Sequence, residues 1–243
     1  GFFAADRQRF EAVVAHTSMA RDESTDLLAY KRHPFVYLVE AADDICYRII
    51  DMEDAHRIGI MTTTEVMDAF LGVIGDLEGE TTKVKKTLKG LDDANEKIAY
   101  LRAKTISTLV NACSRSFETH QKAILSGTFS GTLIDEATDQ SHNLREVNRI
   151  SVEKIYDHHS VIQVEVAGYK VLSEILDIYL KAALSPSKTA LERKTMQLLP
   201  GQFGNQTSPY ETALNIVDYV AGMTDGYAME MYRNFMGIEI KRH

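Results

Sequence analysis

The chain has 243 residues, 44% of them apolar, enough for one large domain or two small ones with a sizeable core. Lys and Arg number 27 against 35 Asp and Glu, a net charge of −8. That balance offers no general attraction to nucleic acid or an anionic membrane, which needs basic side chains to neutralise phosphates.

No run nears the roughly 20 apolar residues that span a bilayer, and no signal-peptide pattern is present; the expected setting is cytoplasmic. The opening, GFFAADRQRF, lacks an initiating Met and is apolar and aromatic from its first residues. It reads as an entry in mid-fold, so a fragment of a longer protein is expected. Cys46 and Cys113 sit inside apolar helical patterns and are expected to be buried, reduced thiols.

Only four prolines and 14 glycines occur, and apolar residues recur every three or four positions. This predicts an all-α protein with helices at about 5–17, 34–57, 63–75, 93–125, 142–156, 160–184, 188–198 and 209–236. Pro34 suits a first helical turn, where its missing N–H costs nothing. Thr62 with Glu65 resembles a capping box, and SPYE repeats the pattern with Ser208, Pro209 and Glu211. Loops are expected at 75–90, 126–132 and 199–209. The lysines of KVKKTLK (Lys83, Lys85, Lys86, Lys89) read as a solvated loop.

The segment VEAADDICYRIIDMED (Val39 to Asp54) holds six carboxylates, Glu40, Asp43, Asp44, Asp51, Glu53 and Asp54, against one base, Arg48. Residues four apart share a helix face, so Asp43, Tyr47 and Asp51 form one line with Glu40 a turn earlier, flanked by Val36, Val39, Ile45, Ile49 and Ile50. Ionised carboxylates gathered beside apolar surface require a cation or hydrogen-bond donors. The plainer reading leaves some of these acids in water, with Arg48 paired to Asp44 or Asp51. A carboxylate-bridged di-metal bundle would use Glu53-x-x-His56, but such bundles need two motifs of this kind and the chain has one. In DYVAGMTDGYA, Val220, Met223, Ala228 and Met231 fit a buried stripe, while Asp218, Tyr219, Thr224 and Asp225 are candidates to support a site or an interface. Arg32 and His33, just before Pro34, are candidates for a phosphate contact or a local ion pair.

RHPFVYLVEAADDICYRIIDMEDA (Arg32 to Ala55), HHSVIQVEVAGYKVL (His158 to Leu172) and YETALNIVDYVAGMTDGYAMEMYRNFMG (Tyr210 to Gly237) occur in this order. Together they resemble the dGTPase-like dNTP triphosphohydrolases of the HD-domain superfamily. The resemblance implies an all-α, multi-helix HD-like phosphohydrolase part. Residues 1–75 would be the end of the HD core, with the last metal-ligand helix, and 76–243 a C-terminal helical region of the same unit.

It further implies a metal-dependent enzyme, using Mg²⁺ or Mn²⁺, that cuts a dNTP, with dGTP favoured, between O5′ and the α-phosphorus to release the deoxynucleoside and tripolyphosphate. Asp43 falls on the family's metal-ligand aspartate, and Tyr47 and Asp51 on residues that contact the deoxyribose; Asp43 is accordingly expected to face inward beside them. The family's other metal ligands are a His and a consecutive His-Asp pair. No His-Asp dipeptide occurs in the chain, and His158 and His159 follow Asp157 in the wrong order, so they read as structural or surface groups. The chain alone is therefore expected to be inactive. Its implied partners are the missing N-terminal part of the same protein and further copies of itself. The competing reading is a non-catalytic helical regulator or subunit that binds a nucleotide.

Overall fold

The computed structural model describes residues 2–79, 81–204 and 208–238. Among them the chain is helical almost throughout, with a single isolated bridge, between Arg21 and Tyr30, in place of any strand. It divides into two units, Gly1–His158 and His159–His243.

The first unit contains α1 (Arg7–Thr17), α2 (Pro34–Arg57), α3 (Thr63–Glu78), α4 (Thr82–Leu88), α5 (Ala94–Leu125), α6 (Leu133–Gln140) and α7 (His142–Ile150), the last running into a π-helical turn, Ser151–Tyr156. The long helix α5 packs against both α2 and α3. Tyr37, Ala41, Ile45, Ile49 and Met52 of α2 meet a core built from Val66, Phe70, Val73 and Ile74 of α3 and Ile98, Leu101 and Leu109 of α5. Each fully buried large side chain contributes about 1.5–3 kcal/mol relative to exposure. The helix starts follow local chemistry: Pro34 stands at the first position of α2, and Thr62 and Glu65 close a reciprocal capping box on α3.

Four expectations need correction. Residues 75–90 are not a loop: α3 continues to Glu78 and stops at Gly79, whose positive φ of 74° suits glycine, and α4 then buries Val84 and Leu88, four residues apart. The lysines around that pair are exposed, as expected of a solvated face. Helix α6, outside every expected helix, forms because Thr132 caps it and Leu133, Ile134 and Ala137 are buried. The segment 142–156 is not one regular helix but α7 plus the π turn.

The second unit contains α8 (His159–Leu184), α9 (Ala190–Leu198), a short 3₁₀ turn Gly201–Phe203, α10 (Pro209–Ala221) and α11 (Asp225–Phe235). Expected helix 209–236 is thus broken, because Thr224 caps a new helix by accepting from the Tyr227 N–H. Ser208 caps α10 with Pro209 at its first position. Val171, Ile175 and Tyr179 of α8 pack with Ile216, Tyr219 and Val220 of α10 and Ala228 of α11. Met223 and Met231 of the expected stripe lie half-buried against this core.

Candidate nucleotide site on helix α2

Helix α2 has two apolar stripes, and the core takes one of them. Tyr37, Ala41, Ile45, Ile49 and Met52 turn inward. Val36, Val39, Asp43, Tyr47 and Ile50 recur at spacings of three and four on the other side, and all five are exposed. Val39 is 68% exposed and Tyr47 58%. The expectation that Asp43 faces inward fails for this geometric reason: it lies two positions from Ala41 and Ile45, outside the buried stripe. Cys46 shares that side and is also exposed, so the expectation of two buried thiols holds for Cys113 alone. Burial, with the nearby Asp44 charge, pushes the Cys113 thiol up to about 11.

Tyr47 and Asp51 do come together, around a third residue that the sequence did not single out. The Tyr156 hydroxyl, from the π turn, donates to Asp51 Oδ2 at 2.7 Å. Its ring lies 5.7 Å, centroid to centroid, from that of Tyr47. Burial, then the contacts with Tyr47 and Asp51, push the Tyr156 hydroxyl above its ordinary value of 10 and keep it a donor. The result is an aromatic pair with a carboxylate at its edge, one to two turns from Asp43. Rings offer a stacking face, and the carboxylate accepts from hydroxyl or amide donors. Sequence alone could not link Tyr156 to Asp51, 105 positions earlier; the only available signal was an aromatic at the end of an expected helix.

Two other acids of the segment, Glu53 and Glu40, have partners elsewhere. Glu53 is buried, held by Arg102 of α5 at 2.6 Å and by Arg57 at 3.1 Å. Glu40 pairs with Arg32, whose guanidinium also stands 4.1 Å over the Tyr37 ring. His33 is the N-cap of α2, its Nδ1 accepting from the Phe35 N–H. The local reading of Arg32 and His33 therefore suffices. Arg48 pairs with neither Asp44 nor Asp51; it donates to the Thr138 hydroxyl of α6 at 3.1 Å. In the Glu53-x-x-His56 motif, both groups are engaged elsewhere, His56 with the Thr63 hydroxyl at 2.9 Å, which removes the di-metal bundle reading.

Among the described residues no three His, Cys, Asp or Glu side chains gather as a metal site. Asp43 is therefore not part of such a group, and one carboxylate does not fix a Mg²⁺ or Mn²⁺ ion. His158 and His159 are exposed.

Residues 135–234 match the phosphohydrolase-associated domain family. A deoxyguanosinetriphosphate triphosphohydrolase-like protein of Pseudomonas aeruginosa is 34% identical over 86% of this chain and 48% of its own length. A protein of the same name from Synechocystis is 31% identical over 99% of this chain and 52% of its own. A Klebsiella pneumoniae deoxyguanosinetriphosphate triphosphohydrolase is 28% identical over 88% and 50%. The chain spans about half the length of the curated relatives it matches.

Proposed function

We propose, from the premise that this chain is a relative of the deoxyguanosinetriphosphate triphosphohydrolase-like proteins, that it is one part of a dNTP triphosphohydrolase acting on dGTP or a similar nucleotide. The products would be the deoxynucleoside and tripolyphosphate. In this reading the exposed side of α2 is one wall of the nucleotide site. Asp51 accepts a hydrogen bond from the sugar, Tyr47 and Tyr156 pack on its apolar face, and Asp43 gives one carboxylate to a divalent-cation site, Mg²⁺ or Mn²⁺, that other residues complete. The supporting observation is the convergence of Tyr156 on Tyr47 and on Asp51, the latter 105 residues away, at the positions that the family resemblance marks for the sugar.

What this chain contributes is positioning. A sugar held against a hydrogen-bonded carboxylate and two rings loses rotational freedom before reaction, an effect that can supply several kcal/mol. Tyr156 keeps Asp51 oriented until a sugar hydroxyl replaces its donation. In this reading the rest of the cation site comes from outside this chain, which then does not hydrolyse the nucleotide by itself.

The second reading, a non-catalytic nucleotide-binding subunit, is favoured by one observation: no group of three His, Cys, Asp or Glu side chains able to hold a metal forms around Asp43 among the described residues. Titration of the chain with deoxyguanosine, followed by backbone amide NMR shifts, tests the shared part of both readings. Shifts confined to the neighbourhood of Tyr47, Asp51 and Tyr156, and lost in Asp51→Ala, are expected. Saturable shifts elsewhere with none on α2 would dismiss the site. Within a protein that carries the remaining ligands, dGTP turnover separates enzyme from binding subunit.

A further inference from the structure

A cleft of ≈390 Å³ in the second unit is lined by Phe203 and Gln202 of the 3₁₀ turn, Asp218, Tyr219 and Gly222 at the end of α10, and Tyr227 of α11. We propose that this cleft binds an organic cation, an alkylammonium or guanidinium group, through its aromatic faces and the Asp218 carboxylate. It uses the DYVAGMTDGYA motif, which the nucleotide site on α2 leaves without a role, and it does not depend on that reading.

Three features set the ligand chemistry. Three aromatic side chains meet in it: Phe203 and Tyr219 lie 5.3 Å apart, inclined at 45°, and the Tyr219 and Tyr227 hydroxyls are 3.0 Å from each other. One of these two hydroxyls donates to the other, and the faces of aromatic rings carry the negative side of the aromatic quadrupole, which attracts cations. Burial and the contact with Tyr227 raise the Tyr219 hydroxyl's pKa, so that phenol stays neutral.

The charge of the cleft has one sign. No Lys, Arg or His is among the described residues lining it, and Asp218 is exposed with no ion-pair partner among the described residues. The cleft lies beside Thr224, the N-terminal cap of α11, whose partial positive charge offsets that of the carbonyls at the C-terminal end of α10, so the Asp218 carboxylate sets the sign. Gly222 leaves that end open, since a Cβ there would come 3.4 Å from the Asp218 carbonyl oxygen and 3.7 Å from that of Tyr219. An anion such as a nucleotide phosphate is repelled by this combination. A neutral apolar ligand gains nothing from the carboxylate.

The free small cation and the arginine side chain of a partner share this chemistry, and two probe pairs distinguish them. The full 243-residue chain is titrated with choline against its neutral isostere 3,3-dimethylbutan-1-ol, and with Nα-acetylarginine methylamide against the citrulline analogue, reading amide and aromatic NMR shifts. Saturable shifts at Phe203, Gly222 and Tyr227 are expected from at least one cation, with its neutral isostere about tenfold weaker or more. Stronger choline binding indicates a free alkylammonium ligand, stronger arginine binding a peptide ligand. Asp218→Asn and Tyr227→Leu, both at exposed positions, should each weaken the cation by about five- to tenfold, with spectra otherwise unchanged. Equal binding of cation and isostere, or no saturable shift from any probe, overturns the proposal.

Discussion

Removing Arg102 should expose how unevenly a buried ion pair stabilises the first unit. The Glu53 side chain is 4% exposed, while its partners Arg102 and Arg57 are 36% and 59% exposed. Deleting one member of a fully buried pair costs about 3–5 kcal/mol, because the other charge is stranded. Here Arg57 remains at 3.1 Å and both guanidiniums are partly solvated, so Arg102→Ala should cost about 2 kcal/mol. For a chain of this size that lowers Tm by roughly 4–8 °C. Arg57→Ala should cost less, about 1 kcal/mol, and the double variant more than the sum, since only then does the carboxylate lose both partners. Glu53→Met should be milder than Arg102→Ala, because both guanidiniums can turn to water while the methionine packs between α2 and α5. Urea and thermal unfolding followed by circular dichroism measure all four. The reasoning is refuted if Arg102→Ala changes stability by less than about 0.5 kcal/mol, or if Glu53→Met is the worst of the set.

Asp76 Oδ2 accepts from the Ser141 hydroxyl and from the backbone and side-chain N–H groups of Asn143. Partial burial pulls its carboxyl up, but these donors win and hold it below its ordinary value of 3.8. A depressed folded-state pKa stabilises above the unfolded value and is lost as pH falls through the folded one. The Tm gap between wild type and Asp76→Asn should therefore be full at about pH 6 and shrink below about pH 4; a gap independent of pH would contradict this. With a thiol-reactive disulfide reagent, the folded chain should release one equivalent quickly, from exposed Cys46, and the second only on unfolding, since Cys113 is buried and poorly ionised. Two fast equivalents would show that α5 opens.

Much of the fold was legible because it obeys local rules. The three- and four-residue periodicity marked α2, α5 and α8, and the cap residues Thr62 and Ser208 marked two helix starts. Where the reading failed, tertiary burial outweighed composition. Lysine-rich 82–88 became a helix because Val84 and Leu88 reach the core, and acidic 133–140 did so through Leu133, Ile134 and Ala137. The candidate site was half legible. Helical spacing put Asp43, Tyr47 and Asp51 on neighbouring positions, but periodicity does not say which of two apolar stripes the core will take. The core took Tyr37, Ala41, Ile45 and Ile49, leaving Asp43 outside, and Tyr156 entered from a distance in sequence that only folding spans.

The most direct test of the proposed nucleotide site measures tripolyphosphate released from dGTP with Mg²⁺ or Mn²⁺. It compares this 243-residue chain, a longer protein that includes it and carries the remaining ligands, and that protein with Asp43→Asn. Release by the longer protein alone, lost on replacing Asp43, is expected. Release by the 243-residue chain, or full activity in the Asp43→Asn variant, would contradict the assignment of α2 as one wall of a cation-dependent site.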